Sequence, residues 1–350
     1  MGMPIIQADR LTKIGEVLFE KAGASAEEAA TVTRHCVSAN LTGHDSHGII
    51  QVPTYIDRID RGHIIPGAPF EIDQESATTT VINGNWGFGY VVNERAMNLT
   101  IEKAKTSNVA AATVYHQSHV GRAGSYPLMA AKEGMIAMMT ADSGRSPKAV
   151  APFGGRVPRL GTNPIAIAMP SNLEGPFFID MATSAAAAGK VKLAQARGQS
   201  IPDDWVVDKD GRATTDPAAL SDGGAIQPLG GAQGFKGYGL AAMVEIFSGL
   251  LTGLGFGVEP TGKHNDGVFM AVFNVAAFRP LEQFKQEVTE FAEYLKATPT
   301  AEGFEEVLYP GEIEHQRMLK RSVEGIDVED ATWDKLAALA EKYGVSEIME

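Results

Sequence analysis

A single cysteine, Cys36, stands in 350 residues, so neither a disulfide framework nor a thiolate zinc site can form within one chain. Basic residues are also scarce: 30 Lys and Arg face 43 Asp and Glu, a formal net charge of -13. That excess repels polyanions and argues against nucleic acid or an anionic membrane as a main partner. No apolar run approaches the roughly 20 residues needed to span a bilayer. The Met1 to Arg10 stretch lacks a basic start followed by an apolar run, so the cytoplasm is the expected location. The dinucleotide fingerprint G-x-G-x-x-G is missing as well. Gly87/Gly89, Gly237/Gly239, Gly253/Gly255 and Gly255/Gly257 all lack the third glycine, and there is no Walker A pattern. Any nucleotide site is therefore not of the usual doubly wound type.

What is present describes a globular protein: hydrophobic residues at 44%, charged residues at 21%, and enough length for a large core in two or more lobes. Leu11, Ile14, Val17 and Leu18 recur at helical spacing up to Gly23. Ser25 with Glu28 forms a capping-box pattern that opens a second helix, and Val52 to Ile59 marks a third. The first seventy residues read as all-helical. Thr78 to Ile82 reads as a strand ended by the turn Asn83-Gly84-Asn85, before a helix from Val91 to Lys105. Met135 to Ala141, Ile165 to Met169, Pro176 to Asp180 and Gly267 to Asn274 read as buried strands. Ala185 to Arg197, Leu240 to Leu251 and Leu281 to Lys296 read as helices, and two polar helices close the chain.

The stretch from Val109 to Ala131 carries the most chemistry. An apolar strand empties into the loop from His116 to Gly124, and an amphipathic helix follows. Free N–H groups at a helix start welcome an anion, and histidine passes a proton near neutral pH. The pairing suggests a catalytic site. His47 and His119 each sit beside a serine and shortly before a glycine, where a backbone can approach a ligand. His35, His63 and His264 read more simply as hydrogen-bonded core residues. The pairs His44/His47 and His116/His119 have H-x-x-H spacing but lie in loops without an evident third ligand, which makes a metal-dependent hydrolase a rival reading. Asp180, ending an apolar strand, must be solvated, bonded or paired. Lys236, between glycines, reads as a surface cation or a phosphate contact.

Eight segments in order resemble the malate/L-lactate dehydrogenase family: Gly43 to Ile49, Ser118 to Arg122, Val150 to Gly155, Leu160 to Pro164, Asp180 to Ser184, Thr214 to Pro217, Lys236 to Gly239 and Tyr309 to Glu312. Within that family the first two look most like hydroxycarboxylate (phenylpyruvate-type) reductases, while the tail resembles ureidoglycolate dehydrogenases. The resemblance implies an α/β fold with a non-Rossmann NAD(P)-binding region and a largely antiparallel mixed sheet. It also implies a helical domain built from residues 1–75 with 300–350, an NAD(P)-binding and substrate region over 76–299, and a homodimer. The reaction it implies is reversible hydride transfer between NAD or NADP and a small 2-oxo or 2-hydroxy acid, without a metal.

By family position His119 is the acid/base; His47 and Asp180 are further catalytic candidates, with Asp180 either orienting a histidine or binding the cofactor's amide or ribose. The cofactor surround is His47, Gly121, Arg122, Ala123, Ser143, Phe178, Ile179, Asp180, Met181, Ala182, Lys236, Gly311, Glu312, Ile313 and Glu314. The substrate set is Ser46, Gln51, Arg122, Arg145, Arg159 and Thr162. One position departs from the pattern. Several family members carry an arginine four residues after the histidine matching His47, where it binds the substrate carboxylate; here stands Gln51. Either another cation (Arg122, Arg145 or Arg159) serves, or the substrate differs. Cyclic-imine reduction and a non-catalytic binding protein on the same scaffold are the remaining alternatives.

Overall fold

The computed structural model describes residues 4–142, 148–258 and 263–350. A short strand β1 (Ile5–Ile6) leads into helices α1 (Ala8–Lys21), α2 (Ala26–Leu41) and α3 (Val52–Asp60). Next come β2 (Glu71–Glu75), β3 (Thr79–Gly87), α4 (Gly89–Ser107), β4 (Val109–Gln117), α5 (Pro127–Lys132) and β5 (Met135–Asp142). β6 (Ile165–Met169), β7 (Phe177–Met181) and α6 (Ala188–Ala196) follow. Three brief strands, β8 (Val206–Val207), β9 (Ala213–Thr214) and β10 (Ala225–Ile226), precede α7 (Phe235–Glu245). The chain then runs through β11 (Gly267–Asn274), α8 (Leu281–Lys296), α9 (Glu312–Glu324), β12 (Ile326–Asp327) and α10 (Asp330–Lys342).

Seven strands form one sheet in the order β2-β3-β4-β11-β5-β6-β7. Among the described residues only β3 and β4 pair in parallel; every other neighbour in it is antiparallel. Alternate residues of the central strands point inward: Ala110, Ala112 and Val114 of β4, Val268, Met270 and Val272 of β11, and Ala137 and Met139 of β5. They join one apolar core with Met97 and Ile101 of α4, residues of α1 to α3, and Leu336 and Ala340 of α10. The small alanines let α4 and α5 approach the sheet closely. The Ser25 hydroxyl accepts the Glu28 N–H while the Glu28 carboxylate accepts the Ser25 N–H, the reciprocal cap legible in the sequence.

Several expectations are corrected. The first seventy residues are not purely helical, because Ile5 and Ile6 pair antiparallel with Asp327 and Ile326. The turn at Asn83-Gly84-Asn85 is instead an irregularity inside β3, whose pairing with β4 resumes at Gly87 opposite Gln117. Asn85 and Trp86 take positive φ there, and the Trp86 ring stacks on His116 at 5.0 Å. The helix expected from Ala185 begins only at Ala188, because the Ala185 N–H is bound to the Gln227 carbonyl. The turn-rich stretch around Ile201 to Pro217 contains two strands of the small sheet β10-β8-β9. Lys236 to Gly239 lies inside α7, not ahead of it; a side chain at Gly237 would run into the Leu229 backbone, so glycine permits close packing rather than ending a helix.

Candidate active site

β4 delivers the loop Ser118 to Gly121, and the loop is pinned from several directions. The Val120 N–H donates to Asp266 Oδ2 at 2.9 Å, and the Val120 carbonyl accepts the Tyr126 hydroxyl at 2.7 Å. Gln117 is buried, bonded to the Asn93 amide and to the Asp266 carbonyl. Gly121 has φ of +70°, and a side chain there would collide with the Tyr90 phenol. A neighbouring corner carries His47. It is fixed by Asn40, whose amide oxygen accepts the Ile49 N–H at 2.7 Å, and by Asp45, which is paired to Arg321 at 2.8 Å.

These two loops bring His47 and His119 face to face, ring centres 5.5 Å apart and 22° from parallel. The Tyr55 hydroxyl of α3 lies 2.7 Å from His119 Nδ1. Among the described residues no side chain bonds to Nε2, which leaves that nitrogen for a ligand. His264 meets the His119 ring edge-on at 5.4 Å, and its Nε2 is 2.7 Å from Asp266 Oδ1. Asp266 therefore holds the His119 loop with one oxygen and His264 with the other.

Burial pushes the His119 pKa well below the ordinary histidine value, and His264, His47 and Arg58 push it further down against the pull of Asp266. His47 is lowered too, chiefly by burial, with Asp180 opposing. Both imidazoles are consequently neutral at pH 7. Burial also raises the Tyr55 pKa well above that of a free phenol, so its hydroxyl keeps its proton. A neutral imidazole with one nitrogen bonded and the other available is suited to taking up and returning a proton.

The remaining residues singled out from sequence fall into distinct places. The free anion cradle expected at the helix after the loop is already filled by the protein: the Gly124 N–H donates to Asp180 Oδ2 at 2.7 Å. Asp180 also lies 3.7 Å from Arg122 Nε, and the Arg122 guanidinium rests over the Phe178 ring. Arg122 is buried, yet its Nε and Nη2 lack a hydrogen-bond partner. Ala123 is buried in the turn beside it, while Ile179 on the edge strand β7 is 41% exposed, with Met181 and Ala182 half-buried beyond it. Gly311 packs its backbone on Phe178. Glu312 is engaged by Lys296 and the Tyr309 N–H, which gives it a structural tie; Ile313 is exposed, and Glu314 lies 3.6 Å from His44. Lys236 is exposed on α7, over the Phe235 ring.

Ser46 Oγ is 3.1 Å from His47 Nδ1, and the Gln51 amide donates to the Ser46 carbonyl. Arg159 is exposed, with its N–H bound to the Val150 carbonyl, and the Thr162 carbonyl accepts from Thr183. No contact brings either to the histidines. Ser143 and Arg145 lie outside the described residues. The four histidines of the hydrolase reading are not gathered, since His44 turns to Glu314 and His116 to Trp86. Among the described residues no three His, Cys, Asp or Glu side chains are placed to hold a metal ion. His35 is a core residue bonded to Glu94 at 2.8 Å, whereas His63 is only half-buried near Arg61 and His264 belongs to the site.

Sequence reading passed over Tyr55, Arg58, His264 and Asp266 as site residues, and also a second buried cluster. Lys148 Nζ lies 3.2 Å from Asp142 and 3.3 Å from Glu245, and the Asn163 amide donates to Glu245 at 2.8 Å. Burial, with Glu245 adding to it against Lys148, raises the Asp142 pKa to about 7.

Two pinned loops of an α/β fold thus bring the half-buried imidazoles of His47 and His119 together. The comparisons then give the family. The family model for malate/L-lactate dehydrogenase matches residues 6–337, and the chain belongs to that family. The L-sulfolactate dehydrogenase of Methanothermobacter thermautotrophicus is 36% identical over 347 residues, 97% of this chain and 98% of that protein. The crystal structure of malate dehydrogenase from Entamoeba histolytica superposes with a TM-score of 0.93 at 33% identity, covering 98% of this chain and 99% of that one. The Δ1-piperideine-2-carboxylate reductase of Pseudomonas syringae matches with a TM-score of 0.84 at 29% identity, over 96% and 100% of the two chains.

Proposed function

We propose that the protein is an NAD(P)-dependent 2-hydroxyacid dehydrogenase in which His119 is the general acid/base. The observation that carries this is His119 itself: neutral, bonded through Nδ1 to Tyr55 and open at Nε2. In oxidation, Nε2 accepts the hydroxyl proton of the 2-hydroxy acid. In reduction, the protonated ring returns a proton to the carbonyl oxygen. Tyr55 holds the ring in place through both directions, and His47 packs on its face.

The residues present fit a nicotinamide cofactor. The unpaired N–H groups of buried Arg122 offer donors to a carboxamide or phosphate oxygen, beside Asp180 and the edge strand β7. We assign the cofactor surround to Arg122, Phe178, Ile179 and Asp180, with His47 at its reactive end and Glu314 flanking. When bound, the oxidised nucleotide would accept the hydride and the reduced nucleotide would donate it; the chain supplies position and handles the proton. A homodimer fits the exposed apolar side chains Phe291, Tyr294, Phe304 and Val323, which a monomer gains nothing by displaying. The cytoplasm is the location that suits such an enzyme, and the N- and C-terminal helical segments are read as one unit beside the sheet.

A panel of 2-oxo acids (oxaloacetate, pyruvate, phenylpyruvate, 2-oxoglutarate, sulfopyruvate), each with NADH and with NADPH, tests the reading by loss of absorbance of the reduced nucleotide. Turnover of at least one is the expected result. The imine reductase among the structural relatives supplies the second reading. Consumption of a cyclic imine with every 2-oxo acid inert would replace the first reading by the second.

A further inference from the structure

We propose that Arg58 grips the substrate carboxylate, the role that Gln51 leaves open. This rests on the reading of His119 as proton carrier. In a 2-oxo acid the carboxylate is bonded directly to the carbon whose oxygen takes the proton, so the cation and the imidazole must be neighbours.

Among the described residues, the side chains closest to that role by sequence do not suit it. Gln51 is neutral, and its amide is bound to the Ser46 carbonyl. Arg122 lies 3.7 Å from Asp180 and against the Phe178 ring, among the residues assigned to the cofactor. Arg159 is exposed and has no contact with the histidines.

Arg58 stands in the last turn of α3, three residues after Tyr55 and hence on the same helix face. Its guanidinium lies over the Tyr55 ring at 5.9 Å, and Nη1 is 3.3 Å from Ser118 Oγ, the residue adjoining His119. Its charge is among those depressing the His119 pKa, as a neighbouring cation must. Arg61, three residues further on, is paired with Asp57. Arg58 forms no ion pair with any carboxylate among the described residues. In a chain with an excess of acids, a half-buried guanidinium without a counter-ion beside the proton carrier is set up to receive an anion from outside.

This arrangement also links binding to protonation. A carboxylate on Arg58 cancels one of the charges that hold the imidazole deprotonated, so Nε2 becomes more basic once an acid substrate is in place. Selectivity follows from the same contact, which favours carboxylates over carboxamides.

The test is calorimetric binding of oxamate, an unreactive 2-oxo acid analogue, with reduced nucleotide present. Arg58→Gln should weaken oxamate by about a hundredfold, Arg58→Lys should retain part of the affinity, and Arg61→Gln, one turn on and paired with Asp57, should leave it near that of the unaltered protein. Nucleotide affinity and melting temperature should hold in all three. In turnover, the kcat/KM ratio of pyruvate over pyruvamide should fall with Arg58→Gln by a similar factor. Unchanged oxamate affinity in Arg58→Gln, or an equal loss in Arg61→Gln, overturns the proposal, as does the absence of oxamate binding by the unaltered protein. Oxamate held through Arg58 with no 2-oxo acid reduced would leave the clamp standing and sink the dehydrogenase reading.

Discussion

Around His119 the interior holds neutral rings, partly reachable by solvent and joined by single hydrogen bonds. Around Lys148 it holds three ionisable groups sealed from water, a lysine between two carboxyl groups. Both groups are built from ionisable side chains, and they have opposite proton preferences. Lowered folded-state values at His119 and His47 mean that the unfolded chain binds protons first as the pH falls. Their contribution to stability is present above the unfolded histidine pKa of about 6.5 and is lost as the pH drops below it. Asp142 is raised to about 7, so its contribution is complete below the ordinary carboxylate value and is lost as the pH climbs through 7.

The sharpest way to break this contrast is at the imidazole. His119→Ala should lower turnover by about 10² to 10⁴, with reduced-nucleotide affinity and melting temperature nearly unchanged; steady-state kinetics beside fluorescence titration would show it. Near-normal turnover would remove His119 from the mechanism. Lys148→Met should do the reverse. It leaves two buried carboxylates uncompensated and should cost about 3–5 kcal/mol of stability, read from urea unfolding. A loss below 1 kcal/mol would mean that water reaches the cluster. The smallest effect concerns pH. Between roughly pH 4 and 7, where the folded chain keeps the Asp142 proton that the unfolded chain has released, the unaltered protein should carry a component of stability that declines with rising pH, and Asp142→Asn should remove it. An unaltered slope would place the titrating group elsewhere.

How much of this was legible depended on how local the cause was. The bounds of β6, β11 and α8 follow from apolar runs and amphipathic spacing, and the structure places them where the sequence pattern does. His47 and His119 could be singled out because glycine and serine flank them in loops. Arg58 and His264 could not, since nothing near them in sequence distinguishes a ligand-facing cation from a helix-end cation or a core histidine. The only advance signal was the spacing of Arg58 from Tyr55 on one helix face. Lys148 and Glu245 are nearly a hundred residues apart and become partners only in the folded chain. β8, β9 and β10 escaped because two-residue strands have no periodicity to read.

Tyr90 adds a consequence of its own. Its phenol donates to the His47 carbonyl, while the bare backbone of Gly121 is pressed against the phenol ring and its oxygen. One rigid ring thus works as a shim between two jaws, setting the gap across which the imidazoles face each other. Thickening either side, even by a methyl at Gly121, would shift both jaws together, so the spacing of the two rings is inherited from a residue that touches neither of them with a bond of its own.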